Sequence, residues 1–237
     1  MELHRQINKN YIHYQKSPIT DVLREVIFGM EDGMVSTLGS ITGIAIGSNN
    51  HTTVILAGVV IISVESISMG IGSYLSNRSQ EEMEERKITE EKEELKNFPR
   101  EEKEELYQMY LKDGWSNDLA IQMSEEASKN KELILKEMTT HELKISDNRK
   151  TLSIKGGFSM FFAYILGGII PLSSYLFLPI KSALPLSIII TLIGLFVLGL
   201  GTTKFTKQPL IKSSLKILIL GSIALMVGLI AGILMGQ

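Results

Sequence analysis

The sequence predicts an all-α membrane protein with five transmembrane helices and one helical domain inserted between the second and third. Two observations carry that expectation. Hydrophobic residues make up 44% of the 237-residue chain, but they gather in 26–76 and 154–236, whereas 77–153 is dominated by charge. Several apolar stretches also reach about 20 residues, the length at which a helix crosses a hydrocarbon core of roughly 30 Å. The expected boundaries are 1–76 for the N-terminal segment and first two spans, 77–153 for the inserted domain, and 154–237 for the last three spans.

Taken in order, residues 1–20 are polar and basic, with Arg5, Lys9 and Lys16. They lack the apolar run of a cleaved signal, so the first span is expected to act as its own signal. Asp21 stands where it can cap a helix entering the membrane. The spans are expected over 26–48, 53–75, 154–176, 184–200 and 215–235. The short loop Asn49-Asn50-His51 joins the first two, and the third contains Gly167-Gly168 and Pro171. Lys and Arg concentrate in the N-terminal segment, the insertion and the loop with Lys204, Lys207 and Lys212, while the loops at His51 and Lys181 carry few. The positive-inside rule therefore makes the N-terminus and the insertion cytoplasmic and puts the C-terminus on the far side. Gly39, Gly43 and Gly47 in the first span, and Gly228, Gly232 and Gly236 in the fifth, repeat every four residues. Such faces let helices approach closely, either within one chain or between two.

The insertion reads as helical throughout. Expected helices are 78–96, 100–111 with Leu106, Met109, Tyr110 and Leu111 as its apolar residues, 117–129 and 131–143. Gly114 is positioned to terminate the second of these, and Ser146-Asp147-Asn148 closes the domain. Over 78–105 twelve Glu face seven Lys or Arg, a net charge of −5.

Within that run Glu91-x-x-Glu94 and Glu102-x-x-Glu105 are offset by eleven residues. On one continuous helix all four would share a face, since eleven residues make almost three turns. Pro99 is expected to split the run into two short helices, each presenting one pair. Like-charged neighbours at this spacing repel, and a cation would relieve them; a solvated linker helix is the plainer alternative. Met138 and Glu142 stand at i,i+4, a thioether and a carboxylate on one face, whereas the adjacent His141 reads as a surface residue. In the spans, Asp32 and Glu65 are ionisable groups at membrane depth, which are costly and point to function. Asp32 shares a face with Ser36, Gly39 and Gly43, and Met69 lies one turn from Glu65. Glu31 points about 100° away from Asp32. Carboxylates suit hard or borderline cations, and added thioethers shift the preference toward Fe²⁺, with Mn²⁺, Co²⁺ and Zn²⁺ also compatible.

Other chemistry is missing from the sequence. There is no cysteine, so thiolate metal sites and disulfides are excluded. No phosphate-binding glycine loop, no nucleophile–base set and no Glu-x-x-His motif is present, which argues against an ATP-driven pump, a hydrolase or a di-iron oxidase. No organic cofactor is implied. The basic residues form no patch, so nucleic acid is not expected as a partner.

The chain resembles the vacuolar iron transporter family of Fe²⁺/Mn²⁺ transporters. The resemblance rests on Arg24-Glu25-Val26-Ile27-Phe28-Gly29 with Asp32-Gly33, on Ser68-Met69-Gly70-x-Gly72-x-Tyr74-Leu75, and on Arg78-Ser79. It continues through the two Glu-x-x-Glu pairs, Met138 to Leu143, and Gly167-Gly168-x-x-Pro171-Leu172. It implies a non-enzymatic, proton-coupled exporter of Fe²⁺ from the cytosol, working as a homodimer. It implies that Glu91, Glu94, Glu102, Glu105, Met138 and Glu142 collect metal, and that Asp32 and Met69 form the translocation site; Glu65 and Glu25 are expected to line the same pathway. Three positions depart from the pattern. Glu25 stands where aspartate is common, Thr139 replaces the second Met of a Met-Met pair, and Ile61 replaces an acid for which Glu65 is the substitute one turn later. A membrane-anchored metal sensor or buffer is the alternative function; it would not need acids in the spans.

Overall fold

The computed structural model describes residues 18–143, 152–206 and 210–235. The described residues form eight α-helices and no strand. They are α1 (Pro18–Ser48), α2 (His51–Asn97), α3 (Pro99–Lys112), α4 (Asn117–Ser128), α5 (Lys131–His141), α6 (Leu152–Phe177), α7 (Ile180–Thr206) and α8 (Leu210–Met235). Two compact units result, one built from the chain up to Gly70 and from Phe158 onward, the other from Ile71–Gly157. Among the described residues three helices, α2, α6 and α7, are long and apolar enough to cross a membrane. α1 does not qualify, because Glu31, Asp32 and a series of Ser and Thr interrupt its apolar residues, and the described apolar part of α8 is the shorter Gly221–Leu234. The expected N-terminal basic residues, the closing 146–148, Lys207 and Gly236 lie outside the described residues.

In the first unit, Met34, Leu38, Ile41 and Ala45 of α1 are fully or almost fully buried. Their 4-3-4 spacing sets them on one helical face. Ile41 and Ala45 meet Val54 of α2, Tyr175 of α6 and Ala183 of α7 in one apolar cluster. Glycine lets α1 approach its neighbours backbone to backbone. A Cβ at Gly29 would lie 2.8 Å from Met160 O of α6, and one at Gly33 would strike Tyr164 O. The glycine stripes noted in the sequence meet each other inside one chain. A Cβ on Gly43 would fall 2.8 Å from Gly228 O, and one on Gly228 would collide with Gly39 O. Gly39 and Gly43 are therefore α1–α8 packing residues of a single chain. Pro171 sits within α6 without ending it, and its carbonyl accepts the Ser187 hydroxyl of α7 at 2.7 Å.

The second unit is a small helical assembly around Leu106, Tyr110, Ala120, Ala127, Ile134 and Met138, with Leu95 of α2 packed against it. Its elements begin and end where local chemistry dictates. Pro99 opens α3 at a position where its missing N–H costs nothing. Gly114 follows α3 with φ +96°, a conformation glycine adopts without strain. Asn130 caps α5, its Oδ1 accepting from the Glu132 and Leu133 amides at 2.9 and 3.3 Å.

One expectation needs correction. The charged stretch 78–96 is not a separate short helix; it is the C-terminal part of the 47-residue α2, which carries the first Glu pair. Nothing in 70–78 breaks a helix, and i,i+4 pairs such as Arg78–Glu82 (2.9 Å) and Arg86–Glu90 (3.3 Å) support it beyond the apolar stretch. The break falls at Phe98, where φ −131° and ψ 49° leave the helical region just before Pro99.

Candidate metal centre

In the second unit three elements bring five carboxylates together. α2 carries Glu91 and Glu94, α3 carries Glu102 and Glu105, and Glu142 follows the last residue of α5. The two Glu pairs are not equivalent within themselves. Glu91 is 2% and Glu102 6% exposed, whereas Glu94, Glu105 and Glu142 reach solvent. Glu91 Oε1 and Glu102 Oε2 are buried without a hydrogen-bond partner. None of the five takes part in an ion pair with Lys, Arg or His among the described residues. Burying a carboxylate without a partner is expensive.

The charges respond to that cost. Burial, then the charges of Glu142 and Glu102, push the Glu91 carboxyl up to about 8. Burial first and Glu105 second raise Glu102, and the same two causes raise Glu142, with Glu94 adding to both. Glu102 and Glu142 thus raise the demand of Glu91 for a proton, and Glu142 raises that of Glu102. A divalent cation would replace that proton and offset the remaining repulsion, with hard oxygen ligands throughout. No three of the described His, Asp or Glu side chains already close around one point, so a cation would have to draw these carboxylates inward.

Met138 is fully buried in the apolar core of this unit, and its carbonyl accepts the Glu142 amide at 2.9 Å. Thr139 turns its hydroxyl to Leu135 O at 2.6 Å, satisfied by its own helix. His141, read from sequence as a surface residue, is held between two carboxylates, Asp113 at 2.9 Å and Glu137 at 3.4 Å.

In the first unit Asp32 lies within reach of the Glu65 charge. Tyr164 of α6 senses both acids, is fully buried, and places its hydroxyl 2.5 Å from Ser36 Oγ. The sequence reading missed Tyr164. Its signal was a phenol inside an apolar span, a group that needs a polar partner when buried. Met69 is half-buried one turn beyond the exposed Glu65, and Glu31 is half-buried. Glu25 is 2% exposed and paired with Arg24 Nη2 at 2.9 Å. Ser36, Ser40 and Ile61 line a groove of about 870 Å³ between α1, α2 and α8.

The VIT family model matches residues 23–233. The chain belongs to the VIT family. Vacuolar iron transporter 1 of Tulipa gesneriana is 32% identical over 86% of this chain and 83% of its own length. The vacuolar iron transporter of Plasmodium berghei (strain Anka) is 31% identical over 99% and 92%, and vacuolar iron transporter 1 of Arabidopsis thaliana 28% over 86% and 82%. Membership in the VIT family makes this chain a membrane transporter of metal ions and not an enzyme.

Proposed function

We propose that this chain moves a divalent metal ion, Fe²⁺ in the first place, out of the cytosol in exchange for protons. The observation that carries the reading is the pair of buried carboxylates, Glu91 and Glu102, each with one oxygen lacking a hydrogen-bond partner, among five acids with no cationic partner among the described residues. Glu91, Glu94, Glu102, Glu105 and Glu142 capture the ion, with Met138 directly beneath Glu142 in the helix. A negative site of this kind raises the local concentration of its cargo. The ion then passes to Asp32, Glu65 and Met69, with Glu25 at the head of the same helix as Asp32. Protons arriving from the far side neutralise these acids and release it. Mn²⁺ suits the same oxygens, and Co²⁺ and Zn²⁺ are tolerated alternatives.

The working unit is a homodimer. Glu65 is exposed on a helix apolar enough to cross a membrane, and contact of that carboxylate with lipid would be costly. A second copy covers it and faces one set of acids with the other. α1 and α8 complete a five-helix membrane arrangement, with the N-terminus and the Ile71–Gly157 unit in the cytoplasm. With Ile61 apolar, Glu65 is the proton-carrying group of α2.

Flux of Fe²⁺ into proteoliposomes tests the division of labour. Asp32→Ala abolishes transport at every concentration, while Glu102→Ala raises the concentration needed for half-maximal flux and leaves the maximum near that of the parent. Normal flux through Asp32→Ala would remove the membrane acids from the pathway.

A further inference from the structure

We propose that His141 is a positioning residue for metal capture: clamped between Asp113 and Glu137, it fixes the turn that presents Glu142. The proposal rests on the capture reading above. His141 is the last residue of α5, and Glu142 is its C-cap. Helix ends fray, because their last carbonyls lack partners. Here the Glu142 and Leu143 amides both reach Met138 O, at 2.9 and 3.3 Å, and Glu142 is otherwise exposed. Two backbone bonds to one carbonyl leave the turn free to fray.

The imidazole supplies what the backbone lacks. Nδ1 lies 2.9 Å from Asp113 Oδ2, the C-cap of α3, and Nε2 lies 3.4 Å from Glu137 Oε2, one turn back on α5. Glu137 is held in turn by the Tyr110 hydroxyl, which donates at 2.9 Å, and the Tyr110 ring stands edge-on to the imidazole at 5.5 Å. Tyr110 is 2% exposed and belongs to the core. α3 packs more extensively on α4 than on α5, so this clamp is a specific tie between the helix bearing Glu102 and Glu105 and the turn bearing Glu142. A carboxylate held in place binds a cation better than one that must be ordered first.

Co²⁺ titration of the full chain in detergent, read by its visible absorption, tests the clamp. A background carrying Asp32→Ala and Glu65→Ala removes the two facing membrane acids from the signal. His141→Ala raises the Co²⁺ Kd by roughly 10- to 100-fold, the usual effect of losing a group that orients a ligand. Glu142→Ala does likewise, and the double variant is no weaker than Glu142→Ala alone, because His141 acts through Glu142. His141→Asn, whose amide can replace Nδ1 toward Asp113, recovers part of the loss. A parent-like Kd in His141→Ala, or losses that multiply in the double variant, overturns the clamp alone. An unchanged Kd and spectrum in Glu142→Ala overturns the capture reading, and the clamp with it. Should His141→Ala fail to fold, Asp113→Ala, which removes the partner of Nδ1, carries the same test, with a parent-like Kd overturning it.

Discussion

Glu91 shows how one side chain can join binding to protonation. Its carboxyl is pushed up to about 8 by burial and by Glu142 and Glu102, so at pH 7 it holds a proton that an incoming cation must displace. Calorimetric titration of the full chain with Mn²⁺ at pH 7, in buffers of differing ionisation enthalpy, is expected to show release of about one proton per captured ion. Glu91→Gln has no such proton, and its release falls toward zero along with its affinity. Buffer-independent heats in the parent chain would contradict the assignment. Sequence spacing could not separate Glu91 from Glu94, nor Glu102 from Glu105, since each pair differs only in which member faces the core. That choice is made by the packing of Leu95 and Leu106, a tertiary fact. Tyr164 was hidden for the same reason, because its proximity to Asp32 and Glu65 depends on α6 lying against α1.

Among the elements, the α1–α8 contact and the carboxylate-bearing helices yield separate expectations. At Gly228 any side chain collides with the Gly39 backbone, and backbone cannot move aside cheaply. Gly228→Leu should cost about 3 kcal/mol or more in thermal unfolding. Gly201→Ala, with nothing within 4 Å, should stay within about 1 kcal/mol. Equal effects would mean the glycine faces do not meet. The raised carboxyl of Glu91 also sets a pH dependence. An unfolded glutamate titrates near 4.5 and the folded Glu91 near 8, so the folded state binds the extra proton. The stabilisation linked to that proton is complete below pH 4.5 and is lost as pH rises through 8. Trp115, the single tryptophan, lies in this unit, so its fluorescence reports the unit's unfolding within the full chain. The midpoint should fall between about pH 5 and pH 8 without metal, and fall less with Mn²⁺ present. A midpoint that rises over that range would contradict the buried-acid account. Pro99 and Gly114 made the ends of α3 readable from sequence. The continuity of α2 was not, because a change from apolar to charged residues looks like a boundary although both halves favour helix.

For the whole molecule, hydropathy and charge announced an all-helical chain with membrane-crossing helices, and ordered motifs announced its family. Both statements depend on local composition and spacing, which a sequence displays directly. The glycine stripes were ambiguous, since spacing of four permits packing within a chain or between chains and only the fold sets Gly39 against Gly228. Transport coupled to protons is tested most directly by metal flux into proteoliposomes with an imposed pH gradient, acid inside, comparing Fe²⁺, Mn²⁺ and Zn²⁺. The account predicts Fe²⁺ uptake that rises with the gradient and collapses in Asp32→Ala. Saturable metal binding with no flux of any of the three ions would contradict it, and would leave the carboxylate cluster as part of a membrane-anchored sensor or buffer.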